Sequence, residues 1–385
     1  RLEDRSPVRI YSLPHIGAVY CGAFFEQKLY LGTNQGLYVA DESPPFERFR
    51  LIPGTQGQTW DCRVIDDHLF VGHNTGTFIL KKDQLDVVST IGGGFNIIED
   101  PQRDHSLLQS TYSYLVRYTK DNASRWKTER IIPGFANLIR YIEFDQEGQI
   151  WAAHMHQAIF RIWLNNEQDS ITQYRYYGSN SIFQQDKDVQ VFSMKDQVIF
   201  TTGDSLFTYD PIRDTIVPHE RYNSMLKEFA AAHRIIPAGD HHYWMISKTG
   251  VALYDFRDIE IRQVQFFPAS LFSGKVIDGF ENIIPLDDHR AIYCLTDGIA
   301  MLDAGQAFPG MIDSSRNVQL KRFAVIAPDG EKVSFPGSIK DHRIPASTDH
   351  ISIVFSYPYY ADRTPVFKYR VRGLNDHWET PEHPS

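Results

Sequence analysis

The stretch that decides the fold is Leu29-Tyr30-Leu31-Gly32-Thr33-Asn34-Gln35-Gly36-Leu37: a short apolar strand, a small-residue turn, and the start of a second apolar strand. The same phrase returns along the chain, with third-strand starts at Gly36, Gly76, Ser113, Ala158, Ser205, Gly250 and Gly298, spaced 40, 37, 45, 47, 45 and 48 residues apart. A period near 40–50 residues with several strands per unit predicts β-propeller blades, and seven echoes predict seven blades. The fold class expected is therefore all-β, a seven-bladed propeller over residues 1–305.

Working outward, each echo is preceded by an inner strand and followed by a more polar outer one. The inner strands open through a polar residue, as in Asn96-Ile97-Ile98, Arg140-Tyr141-Ile142, Gln190-Val191-Phe192, Arg234-Ile235-Ile236 and Asn282-Ile283-Ile284. Second strands such as Leu69-Phe70-Val71, Ile150-Trp151-Ala152 and Tyr243-Trp244-Met245 are continuously apolar, as strands covered on both faces should be. Acidic turns precede several of them: Asp66-Asp67, Asp240-His241-His242 and Asp287-Asp288, where Asp is favoured for local hydrogen bonding. The histidines of the second turn are expected at a solvated hairpin tip. Outer strands are expected near Phe46–Arg50 and Ile171–Arg175. The seventh unit lacks an outer strand of its own, and the spare segment Val8-Arg9-Ile10-Tyr11 is predicted to supply it and close the ring.

After Gly305 the echo stops. Val318–Phe323 and Ile351–Phe355 read as strands and Val366–Val371 alternates, which predicts a partial sandwich module over residues 317–385. Residues 304–317, with Gly305, Pro309, Gly310 and Ser314-Ser315, read as a hinge-capable linker.

The chain has 385 residues, 42% hydrophobic and 13% aromatic, enough for a large core rich in sheet-favouring side chains. With 39 basic against 48 acidic residues and no basic block, it lacks the footprint for direct nucleic-acid contact. No apolar run is long enough to span a bilayer. The chain opens on Arg1 without a leader and is read as an excised fragment. Its three cysteines, Cys21, Cys62 and Cys294, form no disulfide framework; Cys21 and Cys62 lie at similar places in neighbouring units, so one bridge between them is conceivable, and buried free thiols are the favoured expectation.

The tail carries the most specific pattern: Phe355-Ser356-Tyr357, then Phe367-Lys368-Tyr369-Arg370-Val371-Arg372-Gly373-Leu374-Asn375-Asp376-His377-Trp378. It resembles the triple-tyrosine, Ig-like module of bacterial two-component-type sensors. Asp145-Gln146-Glu147-Gly148-Gln149-Ile150-Trp151, and Tyr30 to Leu37 for the segment after it, resemble the regulator-propeller repeat that precedes this module in the family. The resemblance implies an extracytoplasmic sensor ectodomain of an inner-membrane protein, periplasmic, holding the second of two tandem propellers. It implies an output, histidine kinase or helix-turn-helix regulator of transcription, outside this fragment, and membrane attachment only through a helix absent from it. It also implies homodimerisation in the parent and glycan-derived ligands. No catalytic activity is expected of the fragment itself.

Candidate ligand-binding residues at the propeller mouth are those at which inner strands open: Trp60, Asn96, Arg140, Gln190, Arg234 and Asn282. Aromatic faces stack on the C–H surfaces of a sugar, while Arg and Asn bond its hydroxyls, so an oligosaccharide suits such a ring. The alternative is that these groups satisfy loop backbone and strand ends. No catalytic set, no cofactor and no metal site is expected. His154 and His156 lack further ligands at diagnostic spacing, and Gly92-Gly93-Gly94 precedes a strand, with no helix N-terminus for a phosphate. Two other functions stay open at this stage: a propeller glycan lyase or hydrolase, and a structural platform for protein interaction or dimerisation.

Overall fold

The computed structural model describes residues 6–40, 46, 48–81, 84–156, 159–178, 182–183, 189–257, 259–272, 274–306, 319–330, 332–335, 348–356, 368, 370 and 377–379. The chain divides into two units, Pro7–Gln306 and a second made of Arg1–Ser6 with Ala307–Ser385.

The first unit is a seven-bladed β-propeller of four-stranded antiparallel sheets. Blade 1 runs Val19–Phe25, Lys28–Thr33, Leu37–Ala40 and Arg50–Leu51; blade 2 runs Thr59–Ile65, His68–His73, Gly76–Lys81 and Gln84–Ser89. Blades 3 to 6 repeat the order from inner strands Ile97–Glu99, Ile139–Phe144, Gln190–Met194 and Arg234–Ala238. Blade 7 takes Ile283–Pro285, Arg290–Leu295 and Gly298–Asp303 from the end of the unit and Val8–Ser12 from its beginning. Val8 faces Leu302 and Ser12 faces Gly298 in that pairing, so the two ends of the propeller share one sheet. The inner strand of blade 1 packs against both blade 2 and blade 7.

Local chemistry sets the repeat. Glu26-Gln27, Asp66-Asp67 and Lys195-Asp196 all take positive φ, the mirror-image turn whose twist matches a two-residue hairpin. At the start of third strands, Gly36, Gly250 and Gly298 share φ of 151°, 146° and 149°, which an L side chain resists. A Cβ on Gly250 or Gly298 would also strike the carbonyl of Phe267 or Tyr11 in the outer strand. Glycine at these two turns thus lets the fourth strand lie against the third. The core lies between blades, where second and third strands are buried: Leu29, Leu31, Val71, Trp151, Phe200, Trp244 and Ile292 are closed to solvent.

Two local readings are corrected, and one element was not anticipated. His242 is not at a solvated tip but inside the second strand of blade 6, 5% exposed, with its ring 5.4 Å from that of His289. The outer strand of blade 1 is the two-residue Arg50–Leu51, and Phe46 turns inward to pack on Tyr11 and Phe49. Between blades 5 and 6 the chain makes a helix, Glu220–Leu226, capped by His219, which buries Tyr222 and Leu226 in the interblade core.

In the second unit Gln319–Ile326 lies between Lys332–Phe335 and His350–Ser356, all antiparallel. The alternating stretch at 366–371, most of the tail motif and most of the linker lie outside the described residues.

Candidate functional site

All seven inner strands begin on the same face of the propeller. Seven residues lie at this end of the inner strands, Tyr20, Trp60, Asn96, Arg140, Gln190, Arg234 and Asn282, and of these Asn96, Gln190, Arg234 and Asn282 stand opposite Ser110, Thr201, Ile246 and Cys294 of the second strands. In blades 1, 2 and 4 this residue is the extra member of a β-bulge, so Tyr20, Trp60 and Arg140 are turned out of the ladder.

The bulged side chains meet over the axis. Trp60 stacks on Tyr20, with centroids 5.2 Å apart at 19°, and on Phe280, at 5.7 Å and 28°. Phe95 leans on Trp60 from blade 3 at 5.4 Å. The Arg140 guanidinium lies 4.2 Å from the Phe280 centroid and donates to the Gly279 carbonyl. Trp60 Nε1 donates to the Tyr112 hydroxyl at 2.9 Å, and Tyr112 and Tyr114 continue the aromatic surface outward, 37% and 41% exposed.

The two asparagines face inward on the protein. Asn96 Oδ1 accepts from the Ile142 N–H of blade 4 at 2.9 Å, and Asn282 Nδ2 donates to the Tyr20 carbonyl of blade 1 at 3.0 Å. Both amides therefore join a blade to another's backbone, and both residues also line the hole at the axis. Arg234 stacks its guanidinium 4.5 Å from the Tyr141 centroid, and its Nε is buried with no partner among the described residues. The hole these side chains leave is about 30 Å³, room for one water.

Charge is concentrated around this hole. Burial pushes the Arg234 guanidinium below its ordinary range, and Arg140 and Arg63 add to the effect. Burial likewise raises Asp61 against the pull of Arg63, and raises Glu143 from 4.5 to about 7.

Beside the hole, between blades 5, 6 and 7, a cleft of about 760 Å³ opens on the same face. Gln190, Thr201, His233, Ser247, Lys248 and Glu281 supply its polar groups. Gln190, unlike the other five sequence candidates, lines this cleft and not the axial hole, and its Oε1 is buried without a partner among the described residues. His233 Nε2 stands 3.2 Å from Glu281 Oε1. Burial opposes ionisation of Glu281, but His233, its own backbone N–H and Arg140 together outweigh it and hold the carboxyl below its usual range. Glu281 borders both spaces, so the aromatic platform and the polar cleft form one continuous surface.

Sequence reasoning missed Tyr20, Phe280, Glu281 and His233. Tyr20 was within reach, because it stands in blade 1 where Trp60 stands in blade 2. Phe280 and Glu281 belong to a loop whose course no periodicity specifies. His154 accepts from the His156 N–H at 3.1 Å, and among the described residues no cluster of three or more His, Cys, Asp or Glu is arranged to hold a metal.

No family model and no curated protein matches the chain. Solved structures match its fold. The extracellular domain of the hybrid two-component system BT3049 of B. thetaiotaomicron aligns over 98% of this chain and 52% of its own, at 13% identity and a TM-score of 0.56. That of the one-component system BT4673 of the same organism aligns over 98% and 53%, at 12% identity and 0.52. YCF48 bound to D1 peptide aligns over 78% and 96%, at 12% identity and 0.52. The chain thus spans about half the length of the two ectodomains it resembles. No helix among the described residues is long and apolar enough to cross a membrane.

Proposed function

We propose that this chain is part of the extracytoplasmic sensor domain of a bacterial membrane-bound two-component or one-component regulator, and that it reads a glycan-derived ligand on the face where its inner strands begin. The observation that carries the sensor reading is the alignment of 98% of the chain with two ectodomains of such regulators, where YCF48 aligns with 78%. The ligand reading rests on the surface itself: a stacked Tyr20–Trp60–Phe280 platform beside a cleft of a size to hold an oligosaccharide, with amide, hydroxyl, ammonium and carboxylate groups converging in it. Parental dimerisation, a tandem first propeller and a triple-tyrosine module belong to the same reading.

A glycosidase reading is less well supported. Asp61 and Glu281 flank a hole that admits one water and no sugar ring, whereas hydrolysis needs two carboxylates across an occupied bond. Signalling requires that ligand bind one arrangement of the receptor better than another, since equal affinity shifts nothing.

The test is a calorimetric screen of the chain against neutral and acidic oligosaccharides, repeated with Trp60→Ala and Gln190→Ala, alongside a reporter driven by the full-length regulator. Each substitution is expected to weaken binding about tenfold or more, as loss of a stacking face or a buried hydrogen bond does, and to shift reporter induction to higher ligand concentration. Binding indifferent to both substitutions would reject this face as the site.

A further inference from the structure

The structure brings the sulfurs of Cys21 and Cys62 to 3.2 Å, with nothing between them. The register explains the approach. Cys21 pairs with Gly32 in blade 1, but Cys62 pairs with Val71 in blade 2, where the residue equivalent to Cys21's partner is Gly72, already taken by Asp61. Cys62 is therefore one step further along its strand than Cys21. Successive side chains point to opposite faces of a strand, so the offset turns one thiol toward blade 2 and the other back toward blade 1. Both enter the same interblade apolar cluster. Gly32 provides the space: a Cβ there would strike Cys21 Sγ and crowd Cys62 Sγ.

We propose that Cys21 and Cys62 are a cross-linking site, joined in the mature protein as a disulfide that staples the inner strands of blades 1 and 2. Closing the bond asks the sulfurs to move about 1.2 Å nearer than they stand as thiols. An oxidising compartment supplies the driving force, and in this respect the inference rests on the extracytoplasmic reading above. Both thiols are buried, and burial together with the neighbouring sulfur pushes the Cys21 thiol well up, away from the reactive thiolate. The bond accordingly forms while blades 1 and 2 are still apart. One cysteine thiolate attacks a disulfide of a small molecule or oxidoreductase and releases its first thiol. The second cysteine attacks the resulting mixed disulfide and releases the other. Two cysteine thiols are oxidised, one external disulfide is reduced to two thiols, and the cysteine protons pass to the released thiolates. Cys294, buried in the second strand of blade 7, remains reduced and serves as internal reference.

The test uses the unmodified chain. It is refolded in a mixture of reduced and oxidised glutathione, then alkylated in denaturant without reductant, digested and weighed. The expected result is one alkylated cysteine, Cys294, and a linked peptide pair carrying Cys21 and Cys62, two hydrogens lighter than the reduced pair. A melting temperature roughly 5 °C above that of chain refolded in excess reductant should accompany it. Three alkylated cysteines, or a link that includes Cys294, would overturn the assignment. Cys294→Ser, which leaves the pair intact, should retain the link. A second arm takes chain exported through a secretory signal. A link present after refolding but missing from the exported chain would count against the extracytoplasmic reading and leave the geometry standing.

Discussion

Asp145 shows how one side chain turns a repeat motif into a joint. Its Oδ1 accepts from the Glu147 and Gln149 N–H groups at 3.0 and 2.8 Å, fixing the hairpin. Its Oδ2 accepts from Trp151 Nε1 and Arg161 Nη2, both at 3.0 Å. Arg161, 4% exposed, then donates to the Tyr209 hydroxyl of blade 5 at 2.7 Å. Asp145→Ala leaves the Trp151 indole N–H unpaired and takes one carboxylate from Arg161, which keeps Glu147 and the Tyr209 hydroxyl, and is expected to cost about 2–3 kcal/mol in urea unfolding; Asp145→Asn, which keeps one acceptor, should cost about half as much. Glu143 makes one contribution to the pH dependence, opposite in sign to that of His73, His154, His219 and His242, which burial holds below the usual imidazole range. The Glu143 carboxyl is raised by burial from 4.5 to about 7, so between those values the folded chain holds a proton the unfolded chain has released. Folding is then favoured at the acid end, and the contribution is lost as pH rises through the window, by up to about 3 kcal/mol above pH 7. The melting temperature of Glu143→Gln should gain on that of the unsubstituted chain as pH rises from 5 to 7.5. Parallel profiles for the two would remove Glu143 as the cause.

At the scale of elements, the third-strand glycines are conformational requirements rather than gaps in the pattern. Gly298 combines φ of 149° with a carbonyl, that of Tyr11, where a Cβ would stand. Gly298→Ala is expected to destabilise the propeller by about 2 kcal/mol or more and to loosen Val8–Ser12 specifically. Brief proteolysis should then cut first within residues 6–18, a region the unsubstituted chain protects. The same repetition made the fold legible. Each blade asks for a continuously apolar strand, a tight turn and an apolar partner, and a demand made seven times survives drift in any one copy. The site was less legible because its parts obey no such period. Asn96 and Asn282 stand where polarity suggested ligand contacts, and they also bond backbone of other blades, which a single chain position cannot reveal. Phe280 enters from a loop, and the cleft joins Gln190, His233 and Glu281 from three blades far apart in sequence. His242 looked like turn polarity, but the strand begins one residue earlier than the acidic cluster suggested and carries it into the core.

At the scale of the molecule, closure decides how the propeller fails. An open array of repeats can unravel from either end, because each unit leans on its neighbours alone. Here the pairing of Val8–Ser12 with Gly298–Asp303 places both ends of the propeller in blade 7, and Asn282 ties that blade to Tyr20 of blade 1. No blade is terminal, so loss of any one exposes two interblade cores at once. The propeller should therefore unfold in a single urea transition, with tryptophan fluorescence and far-ultraviolet dichroism coinciding. Trp378 lies in the other unit, so the measurement belongs in a Trp378→Phe background, where the remaining five tryptophans all report on the propeller. Removing residues 1–12 leaves the Gly298–Asp303 edge unpaired and makes blade 7 a free end. The truncated chain is expected to lose blade 7 first, detected as a separate early dichroism change while Trp126, Trp151 and Trp163 in blades 3 and 4 keep their native emission, and to self-associate through the exposed edge on size exclusion. A truncated chain that still melts in one step, at the same midpoint and as a monomer, would show that the interblade cores alone hold the ring and that the shared sheet contributes nothing to its integrity.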